Sequence, residues 1–157
     1  MSDEKLEIKA SLMVSKPAEE VFDAIVDPAK MSNYFISKGS GRMEDGKTIT
    51  WQFPEMDMEF PVQVKKTEPA KYISYTWADF RDGTETLVEI SLAPKNNATF
   101  VTVTEKSRDN NENGMKWLKS NTEGWANFLA CLKAYLEYGI NLRKGAFDPS
   151  QLPEKEN

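Results

Sequence analysis

Hydrophobic residues recur at two different spacings along this chain. Between Phe35 and Lys106 apolar and polar residues alternate, which is the period-two pattern of strands that bury one face. Between Asn121 and Arg143 the apolar residues fall instead at i, i+3, i+4 and i+7, and this predicts one helix of about six turns. The apolar face of that helix consists of Trp125, Phe128, Leu129, Leu132, Leu136 and Ile140. The sequence thus predicts a long helix laid across a curved sheet, an arrangement that leaves room for a cavity.

The N-terminal part of the chain adds one strand and two short helices. Alternation over residues 6–14 predicts a half-buried strand. Pro17 suits the first turn of a helix, and Asp27-Pro28 ends that helix, because the residue before a proline is pushed out of the helical region. A short second helix or turn carries Met31, Tyr34 and Phe35.

Turn residues divide the period-two region into about six strands. The predicted strands cover residues 36–43, 48–53, 58–65, 73–77, 88–92 and 101–103. Gly39 and Gly41 predict a bend in the first of these strands, and Pro61 places the third at an edge or a bulge. The connections are too short for parallel crossovers, so we expect antiparallel pairing throughout.

Length and composition favour one domain. The chain has 157 residues, and we expect a single domain over residues 1–145 with a flexible tail over 146–157. No apolar stretch approaches the ~20 residues that span a bilayer, so we expect no membrane insertion. The charged N-terminus lacks the apolar core of a signal peptide, and the single cysteine excludes an internal disulfide. These features predict a cytoplasmic protein, with Cys131 as a small buried hydrophobe.

Charge argues against a nucleic-acid partner. The net charge is -5, and the basic pairs Lys65-Lys66 and Arg143-Lys144 stand isolated among acidic neighbours. Nucleic-acid binding requires a basic patch or stripe, which this sequence lacks.

The absence of histidine excludes several kinds of catalytic and metal site. Without histidine there is no Ser-His-Asp or Cys-His catalysis and no histidine-containing zinc site. Residues 109–114 match the first half of a calcium loop, but its twelfth position is Ser120 rather than the bidentate glutamate that closes the site. A polar turn explains this segment better, and we expect no metal, no cofactor and no assignable catalytic residue. Catalysis would have to rest on carboxylates, lysine or tyrosine, as in the strand-end loop with Asp79, Arg81 and Asp82.

A set of large apolar side chains is predicted to face the space between the sheet and the helix. Its members, the candidate ligand-binding residues, are Trp51, Phe53, Phe60, Tyr75, Trp77, Trp125 and Leu129. They have two interpretations, a filled core or a pocket with aromatic walls in which a tyrosine hydroxyl or an indole N–H orients a ligand. The sequence leaves both open, because sheet curvature sets the volume.

Two sequence motifs resemble the AHSA-like group of the START/SRPBCC superfamily, named for the activator of the heat-shock-protein-90 ATPase. Val21-Phe22-Asp23-Ala24, Asp27-Pro28, Met31 and Tyr34-Phe35 resemble the "VFDA…DP…WF" opening of the group. Gly124-Trp125, Leu129, Leu132 and Tyr135-Leu136-Glu137 resemble its closing "GW…L…L..YLE" helix. The resemblance implies an α+β helix-grip (START/Bet v 1-like) fold, in which a curved antiparallel sheet wraps around a long C-terminal helix. Tyr34 stands where the group often has tryptophan, and histidines common ahead of its last helix are absent.

The same resemblance implies that the protein binds a small hydrophobic or amphipathic molecule between the sheet and the C-terminal helix. Two alternatives stay open. One is a protein-interaction module, either a chaperone partner or a homodimer, and the other is a cyclase-like enzyme.

Overall fold

The structure, a computed structural model, describes residues 4–148, and within that range one sheet packs against three helices. The elements are β1 (Leu6–Val14), α1 (Ala18–Val26), α2 (Pro28–Met31), β2 (Lys38–Gly39), β3 (Thr48–Gln52), β4 (Phe60–Glu68), β5 (Tyr72–Ala78), β6 (Glu85–Lys95), β7 (Ala98–Arg108) and α3 (Glu112–Tyr138). The strand order is β1-β7-β6-β5-β4-β3-β2, and every neighbouring pair is antiparallel. The predicted α+β helix-grip fold and the antiparallel pairing are confirmed.

The core lies between the inner face of the sheet and the helices. Alternate residues of each strand point inward, as the period-two pattern predicts. Val62 and Val64 on β4 and Val101 and Val103 on β7 are fully buried in this way. The buried residues of α1 and α3 pack onto the same surface in one continuous cluster.

Helix α3 differs from its prediction at both ends. It begins at Glu112, nine residues earlier than expected, because the Asn111 side chain accepts a hydrogen bond from Gly114 N at 2.8 Å and caps the helix. It ends at Tyr138 because Gly139 adopts a left-handed φ of 66°. Ile140 therefore lies beyond the helix, 51% exposed, and is not part of the apolar face.

The interpretation of residues 109–114 as a polar turn is wrong for the second half of that segment, which begins α3. Asn111 caps α3, residues 112–114 begin its first turn, and Met115, Trp117 and Leu118 continue the helix. Gly114 is needed at this position, because a Cβ there would lie 2.0 Å from the Asp109 carbonyl oxygen.

Two strand details also differ. The strand predicted over residues 36–43 shrinks to Lys38–Gly39. Pro61 lies on β4, an internal strand, rather than on an edge strand. It pairs with β3 but not with β5, because the pairing of β4 with β5 starts only at Gln63. The register shift of β4 occurs between Val64 and Lys66.

Within residues 4–148, no helix is long and apolar enough to cross a bilayer. Of the tail predicted over 146–157, residues 149–157 lie outside the described residues.

Candidate ligand-binding cavity

A cavity of about 380 Å³ opens between α3 and the inner face of the sheet. Its walls come from strands β4, β5 and β7, the segments after α2, β3 and β5, the middle of α3 and the segment after α3. The aromatic side chains that line it are Phe35, Phe53, Phe60, Trp77, Phe80, Trp125 and Phe147. This volume lies within the range of sites for small organic ligands, about 300–1,000 Å³.

The seven candidate ligand-binding residues divide into two groups. Phe53, Phe60, Trp77 and Trp125 line the cavity. The other three, Trp51, Tyr75 and Leu129, are each about 1% exposed and belong to the core. The aromatic stripe thus fills part of the space between sheet and helix and encloses the rest.

Ring contacts join the cavity wall to the core behind it. Trp77 on β5 and Trp125 on α3 have centroids 5.6 Å apart with 31° between the ring planes, so they connect the sheet to the helix. Tyr75 meets Trp77 edge-on at 5.4 Å and Trp51 at 5.3 Å. Such edge contacts restrict how the rings can move, so this wall of the cavity is firmly supported.

A buried carboxylate, Glu105 on β7, lies against the cavity and accepts four side-chain hydrogen bonds. Its Oε2 atom accepts from Trp77 Nε1 at 2.9 Å and from Thr86 Oγ1 at 2.5 Å. Its Oε1 atom accepts from Trp125 Nε1 at 2.8 Å and from Asn121 Nδ2 at 3.1 Å. We call these five residues the Glu105 cluster. Two donors come from the sheet and two from α3, so one carboxylate fastens both walls of the cavity.

The sequence analysis missed Glu105, although the pattern contained a signal. Val101 and Val103 alternate with threonines on β7, and continuing the alternation puts Glu105 on the buried face. A charged residue in the apolar phase of a strand is unusual, because an ionisable group in the core needs compensating partners. Thr86 occupies the equivalent inward position on β6, in phase with Val88.

Two arginines, Arg143 and Arg81, line the cavity, and each belongs to a cluster of ion pairs. Arg143 contacts Glu55 through Nη2 at 2.5 Å and Nε at 3.2 Å, and its guanidinium lies over the rings of Phe53 and Phe147 at 5.2 and 4.7 Å. This contact ties the segment after α3 to the β3–β4 connection.

The second arginine cluster lies at the β5–β6 turn, where sequence analysis had placed a candidate loop. Arg81 binds both carboxylate oxygens of Asp79, and Arg108 Nη2 contacts Asp82 Oδ2 at 2.5 Å. Each arginine is therefore matched by a carboxylate. Among residues 4–148 no group of three or more acidic, cysteine or histidine side chains is arranged to hold a metal ion.

Burial changes the acidity of two core groups behind the cavity. It raises the pKa of the Tyr75 hydroxyl well above its usual value, and the nearby charge of Glu105 adds to this effect. Within the described part of the chain that hydroxyl has no hydrogen-bond partner. Burial also raises the pKa of the Cys131 thiol, against a smaller opposing effect from Arg143, as expected for an unreactive buried cysteine.

Comparison with known proteins identifies the family. The family model of the "Activator of Hsp90 ATPase homolog 1-like protein" matches residues 15–137, which is most of the chain. The chain belongs to this family. The predicted resemblance to the AHSA-like group is thereby confirmed. Among curated proteins, none matches the chain.

Solved structures of this AHSA-like chain's relatives support the same assignment. A Staphylococcus saprophyticus protein is 36% identical, with a TM-score of 0.77 over 88% of this chain and 96% of that one. DynU16, described as a putative protein in the dynemicin biosynthetic locus, is 25% identical, with a TM-score of 0.76. The match covers 89% of this chain and about half (49%) of DynU16. The Aha1 dimer from Colwellia psychrerythraea shares the fold, at 22% identity and a TM-score of 0.73 over 85% of this chain and 98% of that one.

Proposed function

We propose that this AHSA-like protein binds a small hydrophobic or amphipathic molecule in the cavity between the sheet and α3. The observation that carries the proposal is the cavity of about 380 Å³ with its aromatic lining. Phe53, Phe60, Trp77 and Trp125 are the ligand-binding residues in this proposal. Each 100 Å² of apolar ligand surface removed from water would contribute roughly 2.5 kcal/mol before the costs of ordering.

The architecture of the walls suits such a role. One wall is the sheet and the other is α3, and the Glu105 cluster holds the two together without filling the space between them. A site that is already formed spends little binding free energy on reorganisation. We place the protein in the cytoplasm, because a chain with a single cysteine has no internal disulfide to maintain and suits a reducing compartment.

Binding of the neutral apolar dye Nile red tests this proposal. We expect saturable binding with one dye per protein, and native mass spectrometry of freshly purified protein should reveal a co-purified organic molecule. Ser120→Trp would place an indole in the cavity wall and should abolish dye binding. The matched control is Lys119→Trp, at the preceding position of α3, which is exposed to solvent. This variant should bind the dye as the wild-type protein does.

Circular dichroism must first show that both variants fold. If the wild-type protein bound no dye, or if Ser120→Trp bound it as well as Lys119→Trp does, the carrier function would be wrong.

One observation favours a second candidate, a homodimer. Tyr138, Ile140 and Leu142 are large apolar side chains that are 68%, 51% and 49% exposed around the end of α3, and the Colwellia relative is described as a dimer. Pairing of two copies through this patch would cover it. Light scattering should then report a dimer that Ile140→Lys converts to a monomer; a wild-type monomer at high concentration would exclude this candidate.

A further inference from the structure

The charges around the cavity do not cancel. Four acidic and two basic side chains line it. Both arginines are already paired, Arg143 with Glu55 and Arg81 with Asp79. The other two acidic side chains of the lining are Glu105 and Glu123. Among residues 4–148 no ion pair joins either of them to a cationic side chain. The cavity therefore carries net negative charge.

The hydrogen bonds of Glu105 fit a carboxylate ion. Indole N–H and amide NH₂ groups donate only, so Trp77, Trp125 and Asn121 cannot accept a hydrogen bond from a carboxylic acid. Of the four partners only the Thr86 hydroxyl can either donate or accept, so three of the four hydrogen bonds require an acceptor oxygen on Glu105. Burying an ion costs free energy that hydrogen bonds offset only in part, and a nearby opposite charge lowers that cost further. Within the described chain the protein supplies four hydrogen bonds to Glu105, but no lysine or arginine side chain forms an ion pair with it. A cation in the cavity would supply the opposite charge.

The same hydrogen bonds improve the indole rings as cation-binding surfaces. An anionic acceptor polarises each N–H and so adds to the negative charge over the ring. Tryptophan faces attract ammonium groups, most strongly where water is excluded. Trp77 and Trp125 both line the cavity and both donate to Glu105, so the two effects act at the same place.

We propose that the cavity selects an amphipathic organic cation, that is, an ammonium group carried on an apolar body. This inference rests on the proposed function and specifies its ligand class. The apolar body contacts Phe53 and Phe60, while the ammonium group lies against the rings of Trp77 and Trp125 with Glu105 behind them. An anion of the same shape would be repelled by the charge of Glu105. Neither cavity arginine would offset this repulsion, because both are already paired with carboxylates.

Three probes with one alkyl chain and different head groups test the inference on the wild-type protein. They are octyltrimethylammonium, octanol and octyl sulfate, titrated by calorimetry below their aggregation concentrations. We expect the cation to bind roughly tenfold more tightly than the alcohol, as a desolvated cation–π contact implies, and the sulfate to bind most weakly. No variant is needed for this comparison.

A matched pair of variants then locates the source of the preference. Glu105→Gln keeps the shape of the side chain and removes its charge, so the ratio of cation to alcohol affinity should fall toward one. Glu19→Gln removes the same charge from an exposed position of α1, away from the cavity wall, and should leave the ratio unchanged. A purely structural role of Glu105 would lower the affinity for both probes equally and leave their ratio alone.

The outcomes separate this inference from the proposed function. Equal affinity for cation and alcohol, or a preference for the sulfate, would overturn the cation inference while leaving a general apolar carrier in place. An unchanged ratio in Glu105→Gln would overturn the role given to that carboxylate. If neither Nile red nor any octyl probe bound the wild-type protein, the proposed function itself would fail.

Discussion

Arg143 Nη2 lies 2.5 Å from Glu55 Oε1 and joins the segment after α3 to the connection between β3 and β4. The two side chains are only 12% and 8% exposed, so water screens this pair weakly. Both side chains line the cavity, so this contact fixes one part of its wall.

Breaking this pair should destabilise the protein measurably. Arg143→Met leaves the largely buried Glu55 carboxylate without its partner. We therefore expect a loss of about 2 kcal/mol in the free energy of unfolding, measured by urea denaturation. The double variant Glu55→Gln/Arg143→Met should lose less than the two single variants together. The pair Glu44–Lys47, whose side chains are more than half exposed, is the control and should show coupling below about 0.5 kcal/mol.

Two buried tyrosines should respond oppositely to loss of the hydroxyl. The Tyr34 hydroxyl donates to the Ala24 carbonyl oxygen at 2.8 Å, so Tyr34→Phe should cost about 1 kcal/mol and leave that carbonyl unpaired. The Tyr75 hydroxyl has no partner among the described residues, so Tyr75→Phe should be neutral or stabilising by about 1 kcal/mol. Thermal unfolding of the ligand-free proteins measures both; equal destabilisation by both would show that the Tyr75 hydroxyl has a partner.

Two glycines of α3 should behave differently when replaced by alanine. At Gly114 the added Cβ meets the Asp109 carbonyl oxygen at 2.0 Å, so Gly114→Ala should disrupt the helix cap and cost about 1–3 kcal/mol. At Gly124 a Cβ meets nothing within 4 Å, so Gly124→Ala should stabilise the helix by about 1 kcal/mol. Chemical denaturation of the two variants checks both signs. Stabilisation by Gly114→Ala would mean that the cap can shift freely.

The pH dependence of stability should include a contribution from Glu137, which joins α3 to the end of β1. Its carboxylate accepts hydrogen bonds from Lys133 Nζ at 2.6 Å and from Ser15 N at 2.8 Å, and these contacts lower its pKa below the ordinary value of 4.5. A lowered pKa in the folded state stabilises the protein above the unfolded pKa, and this contribution is lost as pH falls through the folded pKa.

The difference in stability between wild type and Glu137→Gln should therefore be constant above about pH 5 and shrink below the ordinary value of 4.5. Denaturation curves at several pH values measure it. Glu7→Gln, at an exposed position of β1, is the control and should show no such change. A difference that grew on acidification would contradict the assignment.

Hydrophobic periodicity predicted most of the fold correctly, because the burial of one face of each strand or helix sets the spacing of its apolar residues. Alternation over residues 6–14 and the proline signals around α1 need only local sequence, and the structure places those elements as expected. The start of α3 was missed because Asn111 and Gly114 resembled a polar loop, although their pairing is a helix cap. Its end was missed because Ile140 continues the apolar spacing beyond the glycine that terminates the helix.

The candidate site was harder to predict, because a cavity depends on distances between elements. Trp51 and Trp77 are both inward-facing aromatics, and only the approach of α3 decides that Trp77 lines the cavity while Trp51 is fully buried in the core. Glu105 could have been found from its phase on β7, but its four donors come from β5, β6 and α3. No sequence pattern brings those elements together.

The two indoles that donate to Glu105 offer a way to observe the cavity directly. Trp77 Nε1 and Trp125 Nε1 bond to different oxygens of one carboxylate, the first from the sheet and the second from α3. Each carries a single indole N–H proton, whose magnetic resonance frequency depends on the strength of its hydrogen bond. A proton spectrum recorded during titration would thus show separately how the strand side and the helix side respond when a guest enters.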